Sequence, residues 1–248
     1  MKSISVSGLN LNYIGPLLSE GPKPTIFYFA LSAQDSLLQD PYNQPVKCID
    51  LEKYRVFSLD LPDHEPPKSP YEAIGSWVSA SQKDSMYLQH FFSNLKKAID
   101  TLIHQNLIDL SKLGFMGLSR GAFVASHMAA LFESSIPIVG FSPLIKLSKV
   151  KEALEFDFSD VSLDLYSLTH RLMNKKIKFF IGNRDTRVHS NICAEFILTL
   201  SDYAVKHGIK SPPIELEIFP SIGYMGHGTP KNIFEAGSLY LMDKLNYE

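Results

Sequence analysis

The sequence predicts an α/β fold, a mostly parallel central sheet with helices on both faces, and three observations carry that prediction. Continuous apolar runs such as Thr25-Ile26-Phe27-Tyr28-Phe29-Ala30 are what a strand shows when both faces of its sheet are covered. Between such runs, apolar residues recur at three- and four-residue spacing, the pattern of amphipathic helices. A chain of 248 residues is long enough to bury such a core without staples, and 1–248 reads as a single domain.

Taken in order, residues 3–8 and 10–14 alternate polar and apolar side chains around Gly8 and read as two short strands. The run 25–30 is the first central strand and Tyr54-Arg55-Val56-Phe57-Ser58-Leu59 the second. From Met86 to Ile103, Leu88, Phe91, Phe92, Leu95, Ala98, Ile99 and Leu102 mark a long amphipathic helix. A strand over 113–117 precedes a helix rich in small residues over 120–132. Further strands are expected at 136–141, 177–181 and 214–219, with helices at 190–206 and about 231–245. The Pro-dense stretch from Pro62 to Pro70 reads as a surface loop. Residues 142–174 leave room for a small lid or rim segment of one or two short helices. Trp77 falls in a segment expected to overhang the carboxyl edge of the sheet, with core packing as its ordinary role.

Composition removes several classes of function. With 24 Lys plus Arg against 26 Asp plus Glu, the net charge of −2 offers no basic excess for nucleic acid or an anionic membrane. Two cysteines, Cys48 and Cys193, make no disulfide framework and have no metal-ligand spacing, and no motif calls for a metal or a cofactor. No run of ~18 apolar residues suggests a membrane span. The first residues lack the apolar stretch of a leader, and with only two cysteines a reducing cytoplasm is the simplest expectation.

Sites in such sheets form at the carboxyl ends of the strands. There the sharpest signal is Gly117-Leu118-Ser119-Arg120-Gly121, between an apolar strand and a helix that opens with Ala122, Ala125 and Ser126. A serine projected from so sharp a turn needs small neighbours two residues to either side, which glycine supplies. The alternative is a tight turn whose serine caps the helix. A serine hydroxyl becomes a nucleophile only when a base takes its proton and a third group orients that base. Asp185 lies just past the strand at 177–181, and His227, between two glycines, lies beyond the strand at 214–219. His189 competes as the base but shares a loop with Asp185, whereas His90, His104, His127, His170 and His207 fall in helical stretches and His64 in the Pro-rich turn.

These segments resemble the α/β-hydrolases, nearest the dienelactone-hydrolase and prolyl-oligopeptidase branch: the nucleophile elbow at 117–121, the acid loop Ile181-Gly182-Asn183-Arg184-Asp185-Thr186-Arg187-Val188, and Gly226-His227-Gly228. Leu59-Asp60-Leu61-Pro62-Asp63-His64-Glu65 is similar to the family's Asp-x-Pro-Gly-His-Gly turn, with Asp63 and Glu65 where glycine is usual. Those two carboxylates either disfavour anionic substrates or belong to a solvated loop. The resemblance implies an oxyanion hole of two backbone amides, that of Arg120 and one from Ala30-Leu31-Ser32-Ala33, with Ser32 ahead of Leu31. It further implies a carboxylesterase-like serine hydrolase acting on an ester, thioester or amide of a small acyl compound. A ligand-binding protein on a hydrolase scaffold and a small prolyl-oligopeptidase-type peptidase are the alternatives.

Overall fold

The apolar runs pair into one eight-stranded sheet in the computed structural model, which describes residues 1–65 and 68–246. In chain order the strands are β1 (Lys2–Val6), β2 (Leu9–Ile14), β3 (Lys23–Phe29), β4 (Arg55–Ser58), β5 (Ile108–Leu118), β6 (Pro137–Phe141), β7 (Lys176–Gly182) and β8 (Ile214–Phe219). Their spatial order is β1-β2-β4-β3-β5-β6-β7-β8. The β1–β2 and β2–β4 pairs are antiparallel and every later pair is parallel. The helices are α1 (Ala33–Leu38), α2 (Ala73–Lys83), α3 (Tyr87–His104), α4 (Arg120–Ala130), α5 (Lys151–Glu155), α6 (Thr169–Leu172), α7 (Ser190–Lys206) and α8 (Lys231–Asn246). Pro66 and Pro67, inside the Pro-dense stretch, lie outside the described residues.

Successive side chains of a strand point to opposite faces, so a run that is apolar at every position feeds two cores at once. Phe27 and Phe29 of β3 join Phe57, Phe115 and Phe179 beneath α3, α4 and α7. Ile26 and Tyr28 join Val56, Met116, Val139 and Phe180 beneath α1 and α8. Full burial of each such side chain is worth roughly 1.5–3 kcal/mol relative to exposure. The two layers therefore hold the carboxyl edge, where β3, β5, β6, β7 and β8 all end, as a rigid platform.

Two helices and one anchor had no reading in the sequence. Helix α1 is short and starts at an N-cap, Ser32, whose hydroxyl oxygen accepts from the amide of Asp35. Helix α2 carries Trp77, fully buried, and its indole Nε1–H donates to the Pro62 carbonyl at 2.7 Å. Arg55, the one charged residue of the strand run 54–59, is fully buried. Its guanidinium donates to the carbonyls of Pro16, Leu107, Leu17 and Gly21 at 3.0, 2.8, 2.5 and 3.2 Å, which ties the loop after β2 to the start of β5. Strand β5 is also longer than the expected 113–117, because its first residues pair with β3 across a register shift.

The segment 142–174 holds only α5, α6 and two single 3₁₀ turns. Its Leu144, Ile145, Leu147, Val150, Phe158, Leu163 and Leu165 are buried, while Leu154 and Phe156 are exposed. It is tied to α2 by the Gln82 side-chain amide, which donates to the carbonyl of Phe156 at 2.5 Å.

His127 on α4 is buried between Phe92 and Phe123, with centroids 4.4 Å from each, and its Nε2–H donates to the Leu163 carbonyl at 2.9 Å. Burial pushes its pKa from the ordinary 6.5 down to about 4. Between those values the unfolded chain binds a proton that the folded chain refuses, so stability rises with pH across the window and is lost as pH falls through it. Urea unfolding is expected to show a midpoint that drops from pH 7 to pH 4.5, with a smaller drop in His127→Phe. An equal drop in that variant would assign the acid lability elsewhere.

Candidate active site

The turn between β5 and α4 holds Ser119 at φ 55° and ψ −116°, a backbone conformation that L side chains rarely adopt. Four hydrogen bonds fix it there. The Ser119 amide donates to the Phe141 carbonyl at 2.8 Å, and its own carbonyl accepts from the amides of Ala122, Phe123 and Leu144 at 3.0, 3.3 and 3.2 Å. Both flanking glycines are steric necessities: a Cβ on Gly117 would lie 2.2 Å from the Gly121 carbonyl, and one on Gly121 would lie 1.8 Å from the Phe29 carbonyl oxygen.

Asp185 follows β7 and is almost wholly buried, at 2% exposure. Its Oδ1 accepts from the amides of Arg187 and Val188 at 2.9 and 3.1 Å, which fixes the carboxylate plane. The other oxygen, Oδ2, lies 2.7 Å from His227 Nδ1. A carboxylate can only accept, so Nδ1 carries the proton and Nε2 of the neutral ring presents its lone pair. That Nε2 lies 2.9 Å from Ser119 Oγ.

The loop that carries His227 is built to reach this point. An antiparallel bridge between Ile222 and Gly228 closes it, and Gly223, Met225 and Gly226 all have positive φ. The Asp185 loop is zipped to it: Thr186 donates its amide to the Met225 carbonyl at 2.9 Å, and the Arg184 amide donates to Ser221 Oγ at 2.6 Å. The structure thus brings Ser119, His227 and Asp185 together and leaves His189 at the N-cap of α7.

The backbone amides near Ser119 divide unequally. Among the described residues the Arg120 amide, at the first position of α4, has no hydrogen-bond partner, and neither does the amide of Leu31. Ser32 differs from the sequence expectation. It is the N-cap of α1, and its amide faces Asp35 Oδ2 at 3.4 Å in a capping box, so this N–H is already claimed. The close approach of Gly121 to Phe29 and Ala30 sets the segment 30–31 against the start of α4.

The turn at 60–65 is tied down by hydrogen bonds and ion pairs. Asp60 Oδ1 accepts from the Ala33 amide at 2.8 Å. Asp63, at φ 62°, adopts the left-handed conformation that the usual glycine supplies, and its carboxylate takes Lys68 Nζ at 2.6 Å and the Tyr87 hydroxyl at 2.9 Å. Lys68 also pairs with Glu65 at 2.7 Å. Both carboxylates thus have a cationic partner. His64 is buried, its Nδ1–H donates to the Pro62 carbonyl at 2.8 Å, and burial together with Arg120 pushes its pKa down to about 4. Its neutral Nε2 accepts from Arg120 Nη1 at 3.0 Å. An open cleft of about 530 Å³ adjoins this turn, lined by Ser32, Ala33, Asp60, His64 and Pro70 among others.

Among the described residues, no group of three or more His, Cys, Asp or Glu side chains is arranged to hold a metal ion, and no helix is long and apolar enough to cross a membrane.

Neither a family model nor a curated protein sequence matches the chain. Solved structures do. TT1662 from Thermus thermophilus is 16% identical with a TM-score of 0.67, over 100% of this chain and 98% of that one. The esterase Pf2001 of Pyrococcus furiosus is 19% identical with a TM-score of 0.63, over 98% of this chain and 91% of that one. Dipeptidyl peptidase 4 of Porphyromonas gingivalis is 12% identical with a TM-score of 0.58, and this chain spans 35% of its length. At these identities the likeness establishes the fold, and the chain has the α/β-hydrolase fold.

Proposed function

We propose that the chain is a serine hydrolase that cleaves an ester, thioester or amide of a small molecule through an acyl-enzyme. The observation that carries this reading is the continuous relay from Asp185 Oδ2 through the His227 ring to Ser119 Oγ, at 2.7 and 2.9 Å. Fold alone would not support it, because this scaffold hosts many chemistries.

In the proposed reaction, Ser119 Oγ attacks the acyl carbon as its proton passes to His227 Nε2. The carbonyl oxygen takes the negative charge. The Arg120 amide is the first donor to that oxygen, and Leu31 replaces Ser32 as the better second donor, since the Ser32 amide is turned toward Asp35. A single such donor is worth ~3 kcal/mol of transition-state stabilisation. His227 then returns the proton to the leaving group as its bond to the acyl carbon breaks. Water, deprotonated by the same nitrogen, attacks the acyl-enzyme and releases the acid and free Ser119. Asp185 keeps the tautomer and stabilises the imidazolium formed at each step.

The esterase and the peptidase among the structural neighbours both support a hydrolase. A fluorophosphonate probe is expected to attach to Ser119 of the wild-type protein, located by mass spectrometry, and to leave Ser119→Ala unlabelled. A folded wild type that stays unlabelled would instead support a ligand-binding role.

A further inference from the structure

Arg120 contributes more than its backbone. Its side chain is partly buried, and Nη1 donates to two neutral acceptors, His64 Nε2 at 3.0 Å and the Pro70 carbonyl at 2.8 Å. Among the described residues neither Nε nor Nη2 has a hydrogen-bond partner, and neither is sealed from solvent. The charged groups around it leave its charge unmatched. Glu152, on α5 of the rim segment, is the acid whose field reaches Arg120, but that carboxylate is held bidentately by Arg187 at 2.9 and 2.6 Å. Arg187 itself repels Arg120, and burial with this repulsion pushes the guanidinium pKa down to about 10, so the charge is held at a cost. Asp63 and Glu65 are occupied by Lys68. Among the described residues, this guanidinium one residue from the nucleophile has open donors and no carboxylate of its own, and so lacks the partner that would stabilise it.

We infer that Arg120 is a specificity-determining residue that binds a carboxylate carried by the substrate, so that the preferred substrates are acidic esters, with the free carboxylate on either the acyl or the leaving side. Resting on the reading of Ser119 as nucleophile, this names the substrate class of that site. A carboxylate would accept from Nε and Nη2 side by side, the fork geometry that arginine offers and lysine does not.

The test compares each acidic ester with its neutral methyl ester: mono-4-nitrophenyl adipate for the acyl side and 4-acetoxybenzoate for the leaving side. The acidic-to-neutral ratio of kcat/KM is expected to fall at least tenfold in Arg120→Gln for one of the two pairs, and to recover partly in Arg120→Lys. The pair that responds identifies the side. A smaller change in both pairs overturns the inference while leaving the hydrolase reading intact. Where the wild type cleaves none of the four esters, fluorophosphonate labelling of Ser119 decides the hydrolase reading separately, and calorimetric titration with adipate decides the carboxylate site without turnover. Binding that is weakened at least tenfold in Arg120→Gln upholds the carboxylate site, and equal or absent binding overturns it.

Discussion

Asp185→Asn is expected to lower kcat for a short acyl ester by about 10⁴-fold while the protein stays folded. The size of the effect follows from which end of the new amide faces the histidine. The Arg187 and Val188 amides donate to Oδ1, so the asparagine must keep its carbonyl oxygen there and turn its NH₂ toward His227 Nδ1. A donor at that position forces Nδ1 to accept, which moves the ring proton to Nε2. The imidazole then points N–H at Ser119 Oγ and cannot take its proton. Steady-state kinetics with 4-nitrophenyl acetate, with His189→Ala as the control, checks this. A loss in His189→Ala equal to that in Asp185→Asn would mean that the loop is misassigned.

Gly121→Ala is expected to be the most damaging single methyl group in the chain. Gly121 does not have a positive φ, so backbone strain is not the issue; the obstacle is the Phe29 carbonyl oxygen, 1.8 Å from the new carbon. Phe29 ends a central strand paired on both sides and has no room to retreat. Overpacking of ordinary cores costs roughly 1–3 kcal/mol, and a contact this deep against backbone should cost about 4 kcal/mol or more, a large fraction of a domain's total stability. Gly208→Ala is the comparison: its φ is +91° but nothing lies within 4 Å, so it should cost only ~1 kcal/mol. Urea unfolding of the two variants separates clash from strain, and equal midpoints would refute the steric account.

The parts of this architecture that were legible in the sequence share one property, a short-range pattern with a physical cause. Strand β3 is apolar at every position because two cores claim it, and the elbow is visible because its glycines are demanded within five residues. Asp185 and His227 stood out as residues just past strand ends. What escaped was decided by partners distant in sequence. Helix α2 has Gly75 and three serines within eleven residues, weak helix formers, and is held by Trp77 and its contacts to the rim segment. Ser32 looked like a free amide donor until α1 made it a cap, and Arg55 gained its four carbonyls only through the tertiary fold. The sequence left open whether Asp63 and Glu65 form a negative rim or a solvated loop, and the lysine that pairs with both, Lys68, is fixed by the folded turn.

The joining of loops from β5, β7 and β8 also bears on how the molecule acquires its reactivity. Ser119 and His227 are 108 residues apart in sequence, and the loop holding the imidazole, closed by its own Ile222–Gly228 bridge, is also tied to the Asp185 loop. Closing so long a chain segment is a late, entropically costly event in folding. During refolding from urea, tryptophan burial at Trp77 should therefore precede the appearance of probe-reactive Ser119, and chemical labelling becomes a clock for the last stage of assembly.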